Sequence, residues 1–86
     1  MVREVMKMPR IKGWVKKYET KKYTEWRHTN LPKAVVVQET EGAGWYVFYI
    51  ANLKSKKGWV RTIDHDWYRQ KAEQKAVAWM KKHPKG

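Results

Sequence analysis

In a chain whose 86 residues include 20 Lys and Arg, the positions from Ala34 to Leu53 hold none. A stretch so poor in cations is the part of this chain that gains most by leaving water, so the core has to be organised around it. Within it, Ala34–Thr40 (AVVVQET) and Trp45–Leu53 (WYVFYIANL) are short runs of β-branched and aromatic residues. Between them lies Glu41-Gly42-Ala43-Gly44, whose glycines supply the positive φ of a tight turn. Gly58–Ile63 (GWVRTI) repeats the β-like pattern beyond Lys54-Ser55-Lys56-Lys57, which reads as a basic hairpin tip. Three consecutive antiparallel strands follow from this spacing.

The last third changes period. Tyr68, Ala72, Ala76, Trp79, Met80 and His83 recur every three or four residues while Arg69, Lys71, Glu73, Lys75, Lys81 and Lys82 fill the other angles, which predicts an amphipathic helix over about 67–82. Asp64 or Asp66 is its expected N-cap, and Pro84 and Gly86 stand where it should stop. The expected fold class is α+β: a three-stranded antiparallel sheet packed on one face by a C-terminal helix, a β-β-β-α core over residues 34–86. Residues 1–33 form a basic N-terminal segment, part of the fold or an arm. Ile11, Trp14, Val15 and Tyr18 have helical spacing, yet Gly13 and Val15 weaken a helix and Tyr23–Thr29 reads as extended, so a short helix, an extra hairpin and an arm all stay open.

Size allows one core and no more. The chain has no Cys, so neither disulfides nor thiolate-bound metals reinforce it. Leu, Ile, Val and Phe together number only 15, which on its own points toward disorder, but six Trp and five Tyr can supply the missing apolar area. A folded domain with an aromatic-rich core is expected. The residues after Met1 (VREVMKMPRIK) resemble neither a secretion signal nor a membrane span, so the expected setting is cytoplasmic, nucleoid-associated if the partner is DNA, without a membrane partner.

Charge indicates the partner. The net charge is +12, and residues 1–33 and 54–86 each carry ten cations against three carboxylates. That exceeds the net charge of about 2–8 that keeps a small domain in solution, and such a field concentrates polyanions. Interleaving of cations with rings (Trp26-Arg27, Lys57 near Trp59, Lys16-Lys17 between Trp14 and Tyr18) fits phosphate contacts beside base stacking. If Leu53 faces Gly58 across the tip, then Trp45, Val47, Tyr49, Ala51, Leu53 and Val60 share one sheet face with Val35 and Val37, and the helix belongs there. The other face then carries Val36, Gln38, Tyr46, Phe48, Ile50, Asn52, Trp59, Arg61 and Ile63. The expected nucleic-acid-binding residues are Arg27, Lys33, Gln38, Tyr46, Asn52, Lys54, Lys56, Lys57, Trp59 and Arg61, with duplex DNA favoured over RNA.

The basic-tipped strands followed by Ala72-x-x-x-Ala76 resemble the three-stranded DNA-binding domains of the integrase arm-binding type over about Ala34 to His83. That resemblance implies a sheet laid into the major groove. An α-β-β-β-α reading resembles a double-stranded RNA-binding domain, with Arg69-Gln70-Lys71-Ala72 similar to its basic helix start, although the characteristic Gly-Pro-x-His strand is missing. A third reading is a protein-interaction module of viral or plasmid type that grips an acidic partner, and a small nuclease is the enzymatic alternative.

Chemistry has one candidate cluster, Asp64-His65-Asp66. Adjacent residues diverge and rarely ligate one ion, and the capping role accounts for the aspartates, so no catalytic residue, metal or cofactor and no small-molecule substrate is expected. Oligomeric state is not encoded legibly.

Overall fold

The computed structural model describes residues 11–54 and 60–86. Five strands, β1 (Trp14–Thr20), β2 (Tyr23–His28), β3 (Ala34–Thr40), β4 (Gly44–Ile50) and β5 (Val60–Asp66), are followed by one helix, α1 (Arg69–Lys82). The strands form a single antiparallel sheet in the order β1-β2-β3-β4-β5, so every neighbour in sequence is a neighbour in space. The fold is α+β with the helix on one face, as the periodicities require, but the sheet has five strands where three were expected. The additional two come from the N-terminal segment, whose extra-hairpin alternative is the one observed.

Helical spacing in that segment has a different origin. Lys17 is an extra residue in β1, because Lys16 faces Trp26 and Tyr18 faces Glu25. This bulge turns Val15 and Tyr18, three residues apart, onto the same sheet face, where they are 55% and 49% exposed. Trp14 alternates to the other face and is buried. Ile11 reaches the core through a turn closed by the Trp14 amide on its carbonyl (3.0 Å), with Gly13 at φ 86°.

The helix lies on the face built by Trp14, Trp26, Val35, Val37, Val47 and Tyr49, all buried. Ala72, Ala76 and Met80, four apart, turn toward it and are fully buried. Two alanines in that stripe let the helix axis approach the sheet, and Met80 fills the wider gap beyond them. Trp45, Ala51, Ile63, Val77 and Trp79 complete the packing at its margins. α1 begins two residues later than its pattern suggested. Tyr68 is the N-cap, with extended backbone (φ −117°, ψ 135°) and no side-chain cap bond, and it is 67% exposed rather than part of the buried stripe. Asp64 and Asp66 are still in β5, so neither caps the helix. Asp66 Oδ1 instead accepts the Tyr68 amide (3.0 Å), closing the turn that leads into it.

Among the described residues, no helix is long and apolar enough to cross a membrane. Among the described residues one helix packs on the sheet, on one face. The opposite face, with Tyr18, Tyr23, Val36, Gln38, Tyr46, Phe48, Ile50, Val60 and Thr62, has no second layer among the described residues.

Candidate nucleic-acid interface

The register of β5 decides where the expected binding residues go. Extrapolation from Leu53 opposite Gly58 pairs Val47 with Asp64 and Tyr46 with His65, as observed. Toward the tip the pairing is shifted by one, with Tyr49 facing Arg61 and Ile50 facing Val60, because Ile63 is an extra residue between Thr62 and Asp64. Paired residues share a face, so this bulge changes three assignments. Val60, expected under the helix, lies on the open face and is exposed, whereas Arg61, expected on the open face, lies beside Tyr49 on the helix side with its guanidinium 5.9 Å from the ring centre. Ile63 likewise packs against the core rather than facing outward.

Five of the expected residues meet at one end of the sheet. Lys33 precedes β3 and donates from Nζ to the Tyr49 hydroxyl (2.8 Å), so Lys33 and Arg61 flank the same ring from the helix side. The β4–β5 connection is tied to the β2–β3 turn by the Leu53 amide on the Pro32 carbonyl (2.6 Å), and Asn52 Oδ1 accepts the Lys54 amide (2.9 Å). Lys54 therefore sits next to the Lys33 turn. Arg27 is at this end too, paired with Ala34, but it emerges on the open face. Lys33, Lys54 and Arg61 form no ion pair with a carboxylate among the described residues. Lys56, Lys57 and Trp59 lie outside the described residues.

Arg27 is more committed. Its Nε donates to Glu25 Oε2, and its guanidinium lies 5.4 Å over the Tyr18 ring. Glu25 is only 5% exposed, a charge that burial would penalise heavily without partners. The Tyr23 hydroxyl, donating to Oε1, is the second one. Burial, and then the adjacent carboxylate, push the Tyr23 phenol well above its ordinary range, while the Glu25 hydrogen bond holds the Arg27 guanidinium in its charged form.

Gln38 and Tyr46 occupy the opposite end of the open face, adjacent in one row with Tyr23 and His65. Here rings outside the expected binding set, Phe48, His65 and Trp67, join Tyr46. Ring centres run from Phe48 to Tyr46 (6.0 Å), to His65 (4.6 Å) and to Trp67 (5.2 Å). Trp67, assigned by sequence to the helix start, is instead 64% exposed at the end of this row. His65 Nε2 donates to the Ala43 carbonyl, which fixes its ring. Gly44 makes room for both: a Cβ there would lie 2.9 Å from His65 Nε2 and 3.1 Å from Trp67 Cε3, at a φ of +85°. Period-two alternation continued from Asp64 through Trp67 was the signal that could have found them.

The acidic cluster takes no part in this face. Asp64 and Asp66 turn to the helix side, where Lys75 Nζ lies 3.4 and 3.3 Å from them and donates to the His65 carbonyl (2.8 Å). The Tyr68 amide, assisted by Lys75, holds the Asp66 carboxyl below the usual carboxylate range, and Asp66 in turn raises the Lys75 ammonium above its own. No group of three or more His, Asp or Glu among the described residues is placed to hold a metal ion.

Comparison with protein families, curated proteins and solved structures finds nothing that matches this chain, so the interface is assigned from its own geometry.

Proposed function

We propose that this protein binds nucleic acid through its phosphate backbone, with DNA as the partner and an architectural or transcription-regulatory role, and that it acts by binding alone. The observation that carries this reading is the convergence of Lys33, Lys54 and Arg61, none of them neutralised by a carboxylate among the described residues, at one end of a domain of net charge +12. Cations that a fold keeps together without a carboxylate beside them hold phosphates at little desolvation cost, because both sides stay near water. Support for binding without catalysis comes from Asp64 and Asp66, the one acidic pair that sequence offers to a metal, which are both engaged by Lys75.

Electrophoretic mobility with DNA and RNA across a salt gradient tests the reading. Replacing Lys33, Lys54 and Arg61 together by Ala should weaken binding to every sequence and flatten the salt dependence by roughly 2–3 units, about one for each phosphate that no longer meets a cation. A slope that stays where it was in the triple variant would remove this end of the sheet from the interface.

A further inference from the structure

We infer that the open sheet face receives the unpaired bases of a single-stranded nucleic acid, stacked along the row Phe48, Tyr46, His65 and Trp67. This rests on the phosphate-binding reading above and specifies the form of the polymer. Trp67, at the end of a line of rings, touches His65 by an edge and leaves 64% of its surface in water. Yet the line is maintained by specific means: the Ala43 carbonyl orients His65, and Gly44 surrenders its side chain where any Cβ would strike His65 and Trp67.

The chemistry of the face favours one occupant. Duplex DNA presents phosphates outward and keeps its base faces stacked against one another, so rings on a sheet would meet charge and leave their own faces unmatched. An unpaired base offers a π-face to any ring, whatever its sequence. The ring planes are inclined to one another by 49–87° with centres 4.6–6.0 Å apart, so they offer separate surfaces and a base following the row meets one ring at a time. Cations stand at both ends of the face. Arg27 and Lys54 are at the β4–β5 end, while Lys21 and Lys22 form the β1–β2 turn beside the row that runs Tyr23, Gln38, Tyr46, His65. A backbone crossing from one end to the other has phosphate contacts at its margins and stacking between. A second copy of this chain is the weaker occupant, because two surfaces of net charge +12 repel.

The test uses an oligothymidylate of about 15 nucleotides, within the span a sheet platform covers, against a duplex of equal length, with the full chain and three variants. Trp67→Ala removes an exposed ring and leaves the fold in place; Trp67→Phe keeps a stacking surface; Tyr68→Ala removes an equally exposed ring outside the row. The expected result is tighter binding to the single strand, a loss of about 5- to 100-fold for Trp67→Ala on that strand, near-normal binding by Trp67→Phe, and wild-type binding by Tyr68→Ala. Equal or tighter duplex binding overturns the inference and leaves the phosphate reading intact, as does a Trp67→Ala variant that binds the single strand like the wild type or no worse than Tyr68→Ala. Failure to bind either polymer overturns the phosphate reading, and this inference with it.

Discussion

Arg69 carries a planar guanidinium with five N–H donors in a fixed fork. In the structure it opens α1 and reaches across to the β1–β2 turn. Its guanidinium donates to the carbonyls of Thr20 (2.6 Å) and Lys21 (2.7 Å) and to Thr24 Oγ1 (2.8 Å), while Glu73 pairs with its Nε at 3.1 Å. It also covers the Trp45 ring, 5.1 Å away. Thr24 is fully buried and donates in turn to Glu73, so one planar fork satisfies a buried hydroxyl network and holds the hairpin to the helix. Lysine, a single point charge, cannot make these contacts together. Arg69→Ala should cost on the order of 2 kcal/mol in urea unfolding, with Arg69→Lys recovering less than half of it. A change below about 0.5 kcal/mol would mean that the hairpin holds without this clamp.

Among the elements, the junction of β5 with α1 has a pH dependence of definite sign. Asp66 has a lower carboxyl pKa in the folded chain because the Tyr68 amide and then Lys75 favour its charged form. A depressed acid stabilises the fold in full above the ordinary carboxyl range, and that contribution disappears as pH falls through the lowered folded value. The midpoint of thermal unfolding should therefore drop on acidification below roughly pH 4, and Asp66→Asn should show a shallower drop. Parallel curves for the two proteins would show that the junction does not sense protonation here. How legible each element was depends on how regular it is. β3, β4 and α1 follow their periods without interruption, so Val35, Val37, Val47, Tyr49, Ala72, Ala76 and Met80 fall on the faces their spacing dictates. β1 and β5 each contain one extra residue, Lys17 and Ile63, and a bulge shifts every side chain beyond it by half a period. That is why Val15 and Tyr18 imitated a helix and Arg61 came out on the wrong face. Of the candidate site, the cationic end was readable from charge, whereas His65 and Trp67 were hidden by adjacent aspartates and a helix pattern.

At the scale of the whole molecule, the meander places β1 at one edge of the sheet and leaves the helix to bring the chain back to it. The return is latched by aromatic and polar contacts. Trp14 Nε1 donates to the His83 carbonyl (2.9 Å), His28 Nε2 donates to the Pro84 carbonyl (2.8 Å), and Trp14 meets Trp79 edge to face while His83 stacks on Trp79 at 3.9 Å. Gly13 sits under this latch. A Cβ on it would lie 2.1 Å from the Pro84 carbonyl oxygen, at a φ of +86°. Gly42, in the β3–β4 turn, has a similar φ of +77° but open space around it. The two glycines therefore separate backbone strain from the contact that joins the chain's first strand to its last residues. Gly42→Ala should cost about 1–2 kcal/mol, the strain of a left-handed conformation alone. Gly13→Ala should cost distinctly more, because Pro84 must also retreat, taking the His28 hydrogen bond with it and disturbing the neighbouring one from Trp14 to His83. Amide exchange should then quicken across β1 and at the end of α1 while β3 and β4 stay protected, since those central strands keep both neighbours. Equal losses for the two variants, with exchange in β1 unaltered, would mean that the C-terminal residues yield without effect and that the sheet edge is held by β2 alone.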